Sequence, residues 1–194
     1  MVDITRNEML ILSEILKTPE REFNANSISK EIGITAMGAL KILKKLEKEG
    51  VLVSKLAGKA VFYSINFSND YATEYVKFVL RREAEYSSPY VKRWVREIRK
   101  LKNADVAILF GSVLNKESGA NDIDVLIITS QERFEKLKKE IRELNKINEK
   151  EIHAVYQSSK DLKYNISKQD KVVLNALKGV VAFGEEKLIE LFKR

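Results

Sequence analysis

The stretch that decides the fold reads Val106-Ala107-Ile108-Leu109-Phe110-Gly111-Ser112, then nine residues, then Asp122-Ile123-Asp124-Val125-Leu126-Ile127-Ile128. Its first five residues form an unbroken apolar, β-rich run, as expected of a strand buried on both faces. Glycine and serine follow at once. The second run opens with two carboxylates. On a strand, residues two apart share a face and rise together by about 6.6 Å. Asp122 and Asp124 are therefore predicted to point the same way, with Ile123 and Val125 on the other face. Two such carboxylates can hold a pair of divalent cations roughly 4 Å apart, an arrangement suited to phosphoryl and nucleotidyl transfer. Gly111 lets backbone approach a phosphate, and the Ser112 hydroxyl and N–H can donate to it.

Downstream, a helical pattern covers 131–145 and a strand pattern covers 151–156, Glu151-Ile152-His153-Ala154-Val155-Tyr156. Ser167-Lys168-Gln169-Asp170 resembles a capping box opening a further helix, and 185–193 reads as a final amphipathic one. The order of these features, with Leu109-Phe110-Gly111-Ser112 before Asn121-Asp122-Ile123-Asp124-Val125-Leu126, resembles the polymerase-β-like nucleotidyltransferase superfamily, specifically its minimal members. The resemblance covers about 90–190, including the tail Ala176-Leu177-Lys178-Gly179-Val180-Val181-Ala182-Phe183-Gly184. It implies Asp122 and Asp124 as catalytic, Mg²⁺-binding residues. Gly111 and Ser112 would grip the phosphates of an NTP. Active members usually carry a third carboxylate on the next strand, and 151–156 holds no aspartate. Glu151 and His153 share one face by alternation, and either is a candidate substitute or a plain strand residue. Many members carry a small residue and an arginine soon after Gly-Ser. Here Val113-Leu114-Asn115-Lys116 follows, and Lys116 is either a triphosphate contact or an exposed loop lysine.

Toward the N-terminus, 7–17 carries Met9, Leu10, Leu12, Ile15 and Leu16 at helical spacing. Ser27 is a candidate N-cap for a second helix that ends by Gly33, and Thr35 for a third over 36–49. In the third, Leu40, Leu43 and Leu46 face one way while Lys41, Lys44, Lys45 and Lys48 point elsewhere, and Gly50 ends it. Two β-rich segments, 51–57 and 60–66, meet at Gly58-Lys59, a hairpin turn. With Ser27-Ile28-Ser29-Lys30-Glu31-Ile32-Gly33-Ile34 and Leu43-Lys44-Lys45-Leu46-Glu47-Lys48-Glu49-Gly50-Val51-Leu52, this order resembles the winged helix-turn-helix family over roughly 5–67. The resemblance places Thr35, Ala36, Met37, Gly38 and Lys41 nearest the bases of double-stranded DNA. It places Lys44, Lys45, Lys55 and Lys59 near the phosphates. Thr35 to Gly38 offers few groups that pair with bases, so binding is expected more than sharp sequence discrimination. A winged helix used only for protein contacts is the alternative.

The 194 residues carry 35 Lys/Arg against 28 Asp/Glu, a formal net charge of +7, which suits a polyanionic partner. The excess is greatest over 70–102, where 9 basic residues face 5 acidic ones. That stretch reads as a helix over 70–86, a break at Ser87-Ser88-Pro89, and a second helix with Ser88 as N-cap and Pro89 at its first position. Trp94 is read as core or interface, and the stretch could form a dimer seam. No cysteine excludes thiolate chemistry, and a single histidine disfavours a Ser-His-Asp triad or a His-rich zinc site. No membrane span or signal peptide is evident, so a cytoplasmic chain is expected.

The reading is an α/β (α+β) chain with a winged helix-turn-helix domain over 1–69, a basic helical connector over 70–102, and a minimal nucleotidyltransferase-fold domain over 103–194, a mixed sheet with flanking helices. Three functions fit. One is a homodimeric DNA-binding transcriptional regulator whose C-terminal domain binds nucleotide or a partner protein, with catalysis weakened. Another is an active Mg²⁺-dependent nucleotidyltransferase acting on a hydroxyl of protein, RNA or a small molecule. The third is a toxin–antitoxin-like scaffold for protein contacts.

Overall fold

In the computed structural model, which describes residues 4–193, local capping sets the helix starts of the N-terminal part. Thr5 and Glu8 form a reciprocal capping box that opens α1 (Arg6–Lys17). The second helix, α2 (Ala25–Ile32), starts earlier than its sequence suggested. Asn24 is its N-cap, its side chain accepting the Ser27 N–H at 2.9 Å while Ser27 Oγ accepts the Asn24 N–H at 2.9 Å. Ser27 is thus the inner member of the box. Gly33, at φ +71°, turns the chain into Thr35, which caps α3 (Ala36–Lys48). Strands β1 (Leu52–Ala57) and β2 (Ala60–Ile65) form an antiparallel hairpin, and a single bridge from Phe23 to Tyr63 ties the α1–α2 connection to it. Ile11, Leu12, Phe23, Ile28, Leu43 and Leu46 are fully buried beneath. Each such side chain stabilises the fold by roughly 1.5–3 kcal/mol. Three helices followed by this hairpin make a winged helix-turn-helix.

The chain divides into two compact units, Met1–Val79 and Leu80–Arg194. The division falls within α4 (Asp70–Tyr86), inside the stretch set apart by its basic composition. In the second unit, Ser88 caps α5 (Pro89–Ile98) with Pro89 at the first turn. Trp94 on α5 is fully buried in the core, as its place on the apolar stripe predicts.

The sheet of this unit runs β5 (Ile152–Gln157), β4 (Ile123–Ile128), β3 (Val106–Phe110), β6 (Val180–Phe183). β3 is antiparallel to both β4 and β6, while β4 and β5 are parallel, joined by α7 (Gln131–Ile147). Every residue of β3 is buried, in keeping with its unbroken apolar run. Between β3 and β4 lie α6 (Val113–Lys116) and a 3-10 turn over Glu117–Gly119. After β5 come α8 (Ser159–Ser167), α9 (Lys171–Leu177) and, past β6, α10 (Glu185–Phe192). The expected box at 167–170 resolves differently. Ser167 ends α8, and Asp170 alone caps α9 by accepting the Val173 N–H at 2.9 Å. The architecture is mixed α and β, as expected. No helix among the described residues is long and apolar enough to cross a membrane.

Candidate metal and nucleotide site

β3 ends at Phe110, the register partner of Asp124. The next residue, Gly111, has φ +80°, a backbone state that side chains strain. It also has no room for one. A Cβ there would stand 2.1 Å from Asp124 Oδ2 and 3.0 Å from its Cγ. The glycine therefore leaves the space that the Asp124 carboxylate fills. Ser112 follows as the N-cap residue of α6 and makes no side-chain cap bond.

Asp124 lies on β4, whereas Asp122 stands one residue before the strand begins. The parallel register sets Asp124 opposite His153 on β5 and Ile123 opposite Ile152. The Ile123 N–H donates to Glu151 O at 2.9 Å, fixing this end of the pair. Asp122, Asp124 and His153 converge, with one ligand atom from each all within 4.8 Å of one another. His153 Nδ1 lies 3.1 Å from Asp122 Oδ2. Its other nitrogen, Nε2, lies 4.0 Å from Glu151 Oε2. Of the two candidates on β5's leading end, His153 joins the carboxylates. Glu151, with 77% of its side chain exposed, sits behind it.

Burial first, and then the neighbouring Asp122 charge, push the Asp124 carboxyl above its ordinary value, and His153 partly offsets this. Two crowded carboxylates and an imidazole make a donor set that a divalent cation would satisfy, since it neutralises the charge that raises Asp124. Lys116 ends α6 and is exposed. A cavity of about 190 Å³ opens elsewhere, at the far ends of β4 and β5, between Thr129, Phe134, Tyr156 and Ser158. The carboxylate group instead lies at the strands' leading ends.

In the first unit, Thr35 Oγ1 accepts the Gly38 N–H at 3.1 Å, so this hydroxyl serves the cap. Ala36 and Met37 are exposed beside it, Met37 by 74%. Lys41 and Lys44 lie exposed on α3, Lys55 on β1 and Lys59 in the hairpin turn. Lys45 differs. Its Nζ lies 2.5 Å from Glu8 Oε1, a carboxylate with only 3% of its side chain exposed. No sequence signal pointed to Glu8, which is 37 residues away from Lys45.

Among solved structures, the chain is similar to the homodimeric winged helix-turn-helix DNA-binding domain of Mb0332 from Mycobacterium bovis, at 18% identity and a TM-score of 0.34, over 43% of this chain and 73% of that one. It is also similar to a variant of ZitR from Lactococcus lactis, at 17% identity and a TM-score of 0.35, over 52% of this chain and 64% of that one. No curated protein matches the chain. The family model described as polymerase beta, nucleotidyltransferase matches residues 94–178. Both the Gly-Ser turn and the Asp122–Asp124–His153 group fall inside that range, so the three-helix and hairpin unit is followed by a region that matches the polymerase beta, nucleotidyltransferase family model.

Proposed function

We propose that this chain is a cytoplasmic, homodimeric DNA-binding transcriptional regulator whose nucleotidyltransferase-family domain binds a nucleotide through a divalent cation. The observation that carries the reading is the convergence of Asp122, Asp124 and His153 beside the Gly111-Ser112 turn. Asp122 and Asp124 would hold the cation, Mg²⁺ being the ion that the family resemblance implies. When bound, such an ion neutralises phosphate charge and orients the phosphates. Gly111 lets a phosphate approach the backbone, Ser112 donates to it, and Lys116 reaches for its outer oxygens. On the DNA side, Lys44, Lys55 and Lys59 supply phosphate contacts, with Lys45 shared with Glu8, and the first turn of α3 with Lys41 lies against base edges.

Catalysis is weakened in this reading because the residue opposite Asp124 on β5 is His153, whereas the family resemblance leads one to expect a third carboxylate on this strand. An active nucleotidyltransferase remains the second reading, favoured by the close approach of His153 Nδ1 to Asp122. Calorimetric titration of the whole protein with each NTP, with and without Mg²⁺, tests the first reading. Binding that requires the cation and vanishes in Asp122→Asn with Asp124→Asn is expected. Absence of binding by every NTP overturns it. Transfer of a labelled nucleotidyl group to any acceptor would establish the second.

A further inference from the structure

We propose that this site takes a first-row transition ion in preference to Mg²⁺, with His153 Nδ1 as a ligand and Glu151 as the residue that positions the imidazole. The proposal rests on the reading of Asp122 and Asp124 as the metal-holding pair. His153 Nδ1 and Asp122 Oδ2 are 3.1 Å apart. Two ligands at right angles on an ion with bonds of about 2.1 Å stand about 3.0 Å apart. The two atoms therefore already have the spacing of one coordination edge, and Asp124, the register neighbour of His153, supplies the third donor.

The chemistry of the donors then decides among ions. Mg²⁺ prefers oxygen ligands and retains its water, whereas an imidazole nitrogen strengthens binding of the later first-row ions. The chain holds no cysteine and one histidine, so His153 is its sole source of an imidazole donor. On the ring's other side, Nε2 faces Glu151 Oε2 at 4.0 Å. A ligating histidine usually directs its second N–H at a carboxylate, which fixes the tautomer and the ring's orientation. At 4.0 Å Glu151 Oε2 lies just beyond hydrogen-bond range of Nε2, and a rotation of its exposed side chain brings it into that role. His153 has 57% of its side chain exposed, so replacing it leaves the core intact.

The test uses the full-length, tag-free protein, with Mg²⁺, Mn²⁺ and Co²⁺ titrated alone. The single histidine makes the imidazole resonances assignable by inspection. One equivalent of Co²⁺ is expected to displace these resonances in the wild type and not in Asp122→Asn with Asp124→Asn. The ratio of Co²⁺ to Mg²⁺ affinity should fall by about tenfold or more in His153→Asp, with Mg²⁺ binding itself tightening. Glu151→Gln should weaken Co²⁺ by about tenfold while leaving the imidazole shift in place. An unchanged affinity ratio in His153→Asp, or imidazole signals that stay in place while Co²⁺ binds, overturns the proposal. In that outcome ion binding that still requires Asp122 and Asp124 leaves the nucleotide-site reading standing. Failure of the wild type to bind any of the three ions overturns both.

Discussion

A methyl group at position 111 would meet the Asp124 carboxylate oxygen at 2.1 Å, and turning that carboxylate away still leaves Cγ at 3.0 Å and Cβ at 3.2 Å. Gly111→Ala is therefore expected to lower stability by about 1–3 kcal/mol, through left-handed backbone strain and displacement of Asp124. Denaturant midpoints and a divalent-ion titration on the same variant measure the two effects, and a variant that bound ions normally would contradict the packing. Glu8 gives a pH prediction. Burial pushes its carboxyl up, but the Lys45 ammonium at 2.5 Å and the Thr5 N–H at 2.7 Å outweigh burial, and the net position is below the ordinary carboxyl value of 4.5. A carboxyl lowered on folding contributes stability that is complete above its unfolded pKa and lost as pH falls through the folded one. The winged-helix unit should accordingly lose stability in acid below about pH 4.5. Lys45→Met should cost about 2 kcal/mol at neutral pH and shrink that acid loss, because burial is then opposed only by the Thr5 hydrogen bonds. Thermal melts of both proteins between pH 3 and pH 7 compare the slopes.

At the scale of elements, α3 shows how one helix divides its faces. Ala39, Leu43 and Leu46 are buried, while Lys41 and Lys44 face outward. Lys41→Ala with Lys44→Ala is expected to weaken DNA binding and to reduce the slope of log affinity against log salt by about 0.9 for each phosphate no longer neutralised. Lys45→Ala should change that slope less, because Glu8 already neutralises its ammonium. A salt slope unchanged in the Lys41 and Lys44 double variant would argue that α3 does not face DNA. Legibility also followed the element. The apolar stripe of α3 and the alternation around β4 were readable, as was the Ser88-Pro89 start of α5. The helix α8 was not, since Leu162 is its one buried residue and no periodic stripe marks it. Its start is a capping box of Ser158 with Asp161, visible only once the helix itself is known.

Across the whole molecule, each unit has its own core, and the chain's single tryptophan lies in the second. Unfolding followed by Trp94 fluorescence reports that unit alone, whereas far-ultraviolet dichroism reports both. The two curves are expected to separate in urea, and coincident curves would show that the chain unfolds as one cooperative body. The same division predicts that Asp122→Asn with Asp124→Asn abolishes nucleotide binding while leaving DNA affinity within about twofold, as expected for sites without shared partners. A gel-shift titration of the double variant checks this directly.

The sequence by itself determined the order of three helices and a hairpin in the first unit, the apolar strand before Gly111-Ser112, and the pair of carboxylates that follows. These features are local, because periodicity, caps and turn residues act over a few positions. Tertiary structure alone decided which residue of β5 stands beside Asp124, that Gly111 makes room for that carboxylate, and that Lys45 is held by Glu8. Alternation left Glu151 and His153 equivalent, since residues two apart share a face. The parallel register of β4 and β5 separated them, and register is set by packing between segments distant in the chain.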